Sequence, residues 1–166
     1  MINLEEIKNK IFIKENFYFL INIILIFGVD RYSKIRILEN FSENKYFIND
    51  YLNLDLIWNT GIGFGLLSFD SQLLYNLIST IIGLILIFLL ILAFRSDKTE
   101  KFIFSIIIGG ALGNFYDRVI FKAVPDFIDI HYENFHWFIF NFADVFITLG
   151  IMAYLIKGLF QNTYEK

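Results

Sequence analysis

A membrane α-helical fold, a four-span helical bundle with a small extracytoplasmic β-sheet between spans 1 and 2, is predicted by three observations. The chain is 57% hydrophobic and only 19% charged, and its mean hydropathy of +0.58 is too high for a domain whose surface must face water. Its apolar residues gather in runs long enough to cross a bilayer. Its basic residues gather in alternate connections between those runs. With 166 residues there is room for one compact membrane domain and little else.

The spans are expected at about 11–29, 73–94, 102–121 and 137–156. The clearest is Leu73–Phe94, which carries no charge. At about 1.5 Å of rise per residue it covers roughly 33 Å, the thickness of a bilayer core. The run from Phe102 to Phe121 is interrupted only near its end, by Asn114, Asp117 and Arg118, and the run Trp137–Ile156 carries Asn141 and Asp144. The first span is the shortest. Phe17–Val29 reaches spanning length only when extended back to Ile11, with Lys14 snorkelling to the interface. It does not read as a cleaved leader, because no small-residue cleavage site follows it.

Lys8, Lys10 and Lys14 precede the first run, Arg95, Lys98 and Lys101 lie between the second and third, and Lys157 and Lys166 follow the last. Basic residues are sparser in 30–72 and 121–136. Both termini are therefore expected on the cytoplasmic side, with the two larger loops outside.

Segment 30–72 is too long to be a bare connection. Tyr46 to Trp58 mixes aromatic and branched residues, and Asn53-Leu54-Asp55-Leu56 alternates as a strand does. Gly61, Gly63 and Gly65 then alternate. Two readings fit them equally: a glycine row on one strand face that admits another backbone, or a flexible turn.

Composition removes several functions. There is no cysteine, so disulfides, thiolate metal sites and cysteine nucleophiles are excluded. A net charge of -3 without a basic block argues against nucleic acid. His131 and His136 stand five apart with no helical Glu between them, so no zinc-protease pattern is present. No Ser or Thr has an evident His or Lys partner of the serine-protease kind. No cofactor, metal or obligate protein partner is expected.

The polar residues of the spans then need explaining, since a carboxylate in hydrocarbon is costly unless paired or hydrated. Asp126 lies just past the third run, where Pro125 ends the helix; Asp144 lies inside the fourth. Two carboxylates sharing a dry pocket cannot easily both ionise, so the pair holds a proton near neutrality and suits acid–base chemistry. In the alternative Asp144 pairs with Arg118 and Asp126 only caps a turn; spacing alone is compatible with both. Asn141 shares a helix face with Asp144. Asp117 and Arg118 are read as compensating one another in a structural clamp, with Arg118 also able to hold a carbonyl or a loop by its donors and Asn114 suited to either role. Asp30 and Lys34, four apart, suit an intrahelical ion pair worth about a few tenths of a kcal/mol when exposed; alternatively, Lys34 anchors the helix end to headgroups. Gly109, Gly110 and Gly113 leave one stretch of the third span without side-chain bulk, which admits close helix packing. A transporter would need a polar path through the full bilayer, but Leu84–Phe94 and Gly150–Leu155 are nearly featureless.

Four blocks, in order, resemble one family. Asp30-Arg31-Tyr32-Ser33-Lys34 is similar to its first block, in which Asp, two variable residues, Thr and Lys follow one another. Asn59-Thr60-Gly61-Ile62-Gly63-Phe64-Gly65 is similar to its glycine-rich block. Gly109 to Arg118, continuing to Asp126-Phe127-Ile128-Asp129, resembles the longest, and Phe140-Asn141-Phe142-Ala143-Asp144 the last. The family is the lipoprotein signal peptidases, or signal peptidase II. The resemblance implies a membrane aspartic endopeptidase of the bacterial cytoplasmic membrane, acting near its outer surface. Its implied substrates are diacylated prolipoprotein signal peptides, cut just before the lipidated cysteine. It implies Asp126 and Asp144 as catalytic, and Asp30, Lys34, Asn59, Gly61, Asn114, Asp117, Arg118 and Asn141 as their support. Ser33 replaces the usual Thr, Lys122 stands where the family usually has Gly, and Pro125 directly precedes Asp126.

Overall fold

The computed structural model describes residues 14–41, 45–61 and 72–164. The elements are α1 (Lys14–Asn40), β1 (Tyr46–Asn49), β2 (Leu52–Asn59), α2 (Gln72–Arg95), α3 (Lys98–Phe121), β3 (Val124–Tyr132), β4 (Phe135–His136) and α4 (Phe142–Tyr164). Among the described residues, three stretches are long and apolar enough to cross a membrane: Tyr75–Arg95, Lys98–Phe121 and Phe142–Phe160. Helix α1 differs from the expected first span. It does not stop near Val29 but continues through Asp30, Arg31 and Lys34 to Asn40. Helix α4 begins at Phe142, later than the expected fourth span, because 137–141 runs beside the sheet instead.

Helix α3 packs against α1, α2 and α4, and its glycines explain how. A Cβ on Gly109 would stand 2.8 Å from Ile26 Cβ, and one on Gly113 would collide with the Asp30 carboxylate, so both admit α1. A Cβ on Gly110 would stand 2.7 Å from the Ala143 carbonyl oxygen, so that glycine admits α4. Small residues let helix backbones approach closely, which is how helices associate in lipid. Below this layer Phe19, Ile23, Leu86, Ile103, Phe104 and Ile108 form an apolar core. At the α2–α3 turn Asp97 caps α3 by accepting from the Glu100 N–H at 2.9 Å. Lys157 of α4 reaches Asp97 at 2.5 Å and Glu100 at 3.1 Å, tying the two helices together.

The sheet is antiparallel, in the order β1-β2-β3-β4. Segment 30–72 therefore supplies only half of it; β3 and β4 come from 124–136. Two β2 residues, Asp55 and Leu56, stand opposite Phe127 alone, since Leu54 pairs with Ile128 and Ile57 with Asp126. That bulge turns β2 over. Asn53 consequently joins Asp129 on one face and Asn59 joins Asp126 on the other. Lys122, the C-cap of α3, adopts φ 58, the left-handed conformation that favours glycine and costs other residues about 1 kcal/mol.

Asp129 pins the face of the sheet opposite Asp126. Its carboxylate accepts from Lys45 Nζ at 2.7 Å and Asn53 Nδ2 at 3.1 Å, and contacts His136 Nδ1 at 2.9 Å. Although burial raises its pKa, these partners outweigh that and hold it at about 2. The stability this contributes is complete above the ordinary carboxylate value and is lost as pH falls through about 2. Asp129→Ala is expected to cost about 2 kcal/mol at neutral pH; thermal unfolding in detergent measures it.

Candidate active site

The strand β3 brings Asp126 back to the bundle. After α3 ends, the chain enters the sheet beside β2, and the returning segment is held to β3 by Phe140. The Phe140 carbonyl accepts from Phe127 and Ile128 N–H at 3.0 and 2.7 Å, and its own N–H donates to the Ile128 carbonyl at 3.1 Å. Asn141 and the first turn of α4 are thereby delivered next to Asp126.

Three amides then surround the two carboxylates, each turned by a donor to its oxygen. Asn59 Oδ1 accepts from the Gly61 N–H at 2.8 Å, so its nitrogen faces Asp126 Oδ2, also at 2.8 Å. Asn141 Oδ1 accepts from the Asp144 N–H at 3.2 Å, and its nitrogen donates to Asp126 Oδ1 at 2.5 Å. The backbone N–H of Asn141 donates to Asp144 Oδ2 at 3.1 Å, so this one residue touches both acids. Asn114 Oδ1 accepts from Lys34 Nζ and its nitrogen donates to Asp144 Oδ1, each at 2.8 Å. An amide has one acceptor end and one donor end, and here every donor end points at a carboxylate. Asp126 is buried, 3% exposed. Burial first, and the Asp144 charge second, raise its carboxyl to about 7, against the opposing pull of Asn59 and Asn141.

The supporting charges are arranged differently from the expectation. Asp30 and Lys34 are not an exposed pair: both are fully buried. Lys34 Nζ donates to Asp30 Oδ2 at 2.9 Å and Asp117 Oδ2 at 2.8 Å. Asp30 Oδ1 also accepts the Ala143 N–H at 3.1 Å, satisfying one free donor at the start of α4. Asp117 and Arg118 form no ion pair with each other among the described residues. Asp117 takes Lys34 and, at 2.5 and 2.9 Å, both terminal nitrogens of Arg31. Arg118 donates to the Gly61 carbonyl at 2.8 Å and to the Asn114 carbonyl at 3.4 Å. No ion pair joins it to Asp144 among the described residues. Gly61 is thus placed by its N–H on Asn59 and its carbonyl on Arg118, whereas Gly63 and Gly65 lie outside the described residues.

Arg31 was not singled out from the sequence. A signal existed: Asp30, Arg31 and Lys34 carry one charge too many for a membrane helix to leave unbalanced, and Asp117 supplies the missing carboxylate. Beside the site, a groove of about 520 Å³ lined by Ile130, Trp137, Phe138, Phe140, Val145 and Leu149 runs to Asp144.

The family described as signal peptidase (SPase) II matches residues 22–160. The chain belongs to the signal peptidase II family. It is similar to the lipoprotein signal peptidase of Pelagibacter ubique (strain HTCC1062), with 45% identity over 157 residues, covering 93% of this chain and 95% of the relative. The lipoprotein signal peptidase of Francisella tularensis subsp. novicida (strain U112) is 38% identical over 156 residues, covering 87% and 92%. Among solved structures, a bacterial membrane enzyme obtained by the in meso method at 2.3 Å resolution superposes with a TM-score of 0.73 at 27% identity, covering 90% of this chain and 92% of that one. A second, at 1.9 Å, gives 0.70 at 29% identity, covering 86% and 92%. Signal peptidase II is a peptidase family, and the three long apolar helices fit a membrane enzyme.

Proposed function

We propose that this chain is an aspartic endopeptidase that removes the signal peptide from diacylglyceryl-modified bacterial prolipoproteins, cutting just before the lipidated cysteine. The observation that carries the chemistry is Asn141, whose side chain holds Asp126 while its backbone holds Asp144. One carboxyl protonated and one ionised is the state that both activates water and polarises a carbonyl. The substrate assignment follows the relatives, whose names are those of lipoprotein signal peptidases. The apolar groove ending at Asp144 supports it further, since a substrate anchored in lipid reaches the acids from the side.

In this reading α1 joins α2, α3 and α4 as a fourth span, both termini face the cytoplasm, and the sheet and the two acids lie near the outer surface. Asp30, Lys34, Asn59, Gly61, Asn114, Asp117, Arg118 and Asn141 orient the acids and satisfy the backbone of a substrate that must leave helical form to be cut. The protein needs no metal, cofactor or obligate partner. Purified protein given a diacylated precursor should release its signal peptide, and an unlipidated precursor should stay intact. Equal cleavage of both would defeat the substrate assignment. A strong chelator should leave the rate unchanged, because carboxylates and not an ion activate the water; loss of activity that zinc restores would refute this.

A further inference from the structure

The two-acid chemistry needs one proton on the pair, and something in the structure must set that number and decide which acid holds it. Two cations, Arg31 and Lys34, contact Asp30 and Asp117, and a third, Arg118, bonded to the Asn114 and Gly61 carbonyls, acts on Asp117, Asp126 and Asp144 through space. In a medium of low dielectric such a cluster is strongly driven toward neutrality. Three cations balance four carboxyl groups when one proton is present. Without Arg31, balance requires two protons, and an acid pair with both members protonated has no base.

We propose that Arg31, resting on this two-acid reading, is a positioning residue that fixes the pair at one proton and leaves Asp144 as the ionised member. Arg31 neutralises Asp117 through two short contacts and lies over the Tyr116 ring, 4.9 Å from its centroid. Lys34, which shares Asp117 with Arg31 and also holds Asp30, acts on Asp144 through Asn114: an ammonium only donates, so it fixes the amide with its nitrogen on Asp144. Asp144 also lies in the first turn of α4, where the helix dipole favours an anion. Asp126 sits on a strand and meets only neutral amides. Its carboxyl, held at about 7 by burial, agrees. Asp129, the other buried carboxylate among the described residues, faces Lys45 and His136 across the sheet and stays outside this balance. Chemically, Asp144 takes a proton from water as its oxygen bonds to the scissile carbon, and Asp126 gives its proton to the carbonyl oxygen. On collapse Asp144 protonates the leaving nitrogen as the C–N bond breaks, and Asp126 recovers the hydroxyl proton.

The test is the pH dependence of kcat/KM on a diacylated precursor. Arg31→Met should move the acid limb up by about one pH unit, a tenfold change in proton affinity. Asp117→Asn, which keeps an acceptor for Lys34, should move it down, and the double variant should return it toward wild type. A folded R31M with an unmoved limb, or a shift that D117N fails to reverse, overturns the proposal. If R31M does not fold, D117N alone decides: no downward shift overturns it. Carboxyl ¹³C NMR of the wild-type protein, assigned with the Asp126→Asn and Asp144→Asn variants, gives a readout independent of turnover. One proton, on Asp126, is expected at pH 6; a proton on Asp144 overturns the assignment. If wild type cleaves no diacylated precursor, the peptidase reading fails while the NMR result still decides the charge.

Discussion

Asp126→Asn and Asp144→Asn should each lower the rate of precursor cleavage by about 10³-fold or more, because each removes one partner of an acid–base pair whose roles the other cannot fill alone. The loss should fall on kcat, since neither change removes apolar surface from the groove that receives the substrate. Neither variant is expected to be silent in stability. Both oxygens of Asp126 accept from amide nitrogens, so an Asn there sets one NH2 group against another. Flipping Asn59 to relieve this would lose its contact with the Gly61 N–H. At Asp144 the donors are the Asn114 amide and the Asn141 N–H, and the latter cannot flip at all. A buried donor left unsatisfied costs about 1–3 kcal/mol. Both variants should therefore fold with a lowered Tm, and a Tm recorded beside each rate separates chemistry from folding. Near-normal cleavage by both would remove the two acids from the mechanism.

Much of the fold could be read before the structure, and the failures have physical causes. Apolar runs mark helices because hydrocarbon tolerates little else, and Leu73–Phe94 and Phe102–Phe121 are uninterrupted enough to read directly. Half of the sheet escaped because Val124 to Tyr132 contains Pro125, Asp126 and Asp129, residues that read as a turn. The buried strand they form depends on β2, distant in sequence. The bulge at Asp55 and Leu56 is invisible in a period-two pattern, yet it decides that Asn59 and not Asn53 meets Asp126. Asp117 and Arg118 are adjacent along the chain, yet neighbours on a helix do not face each other. Asp117 turns toward α1 and Arg118 toward Gly61. The i,i+4 spacing of Asp30 and Lys34 is legible in the sequence but their burial is not, because it comes from the glycine face of α3 and not from α1 itself. Asp126, Asp144 and Asn141 could be listed from the sequence. Their common geometry depends on Phe140 pairing with β3, which no local pattern specifies.

That glycine face provides the second large effect. Gly113→Ala should destabilise the protein by about 3 kcal/mol or more and abolish most of its activity, although alanine is the better helix former. The new methyl group would occupy the space of the Asp30 carboxylate. Asp30 cannot yield without releasing Lys34 Nζ and the Ala143 N–H, and through Lys34 it would disturb Asn114 and then Asp144. Gly28 supplies the control. It lies on α1, and a Cβ there meets nothing within 4 Å, so Gly28→Ala should leave activity intact and raise stability by up to about 1 kcal/mol. Thermal unfolding and precursor cleavage, measured on both variants in the same detergent, compare one chemical change in two places. Equal effects at the two sites would mean that the close approach of α1 to α3 does not hold Asp30 in position. A loss confined to Gly113, in stability and turnover together, would show that the helix packing and the acid pair are joined through the Asp30 carboxylate.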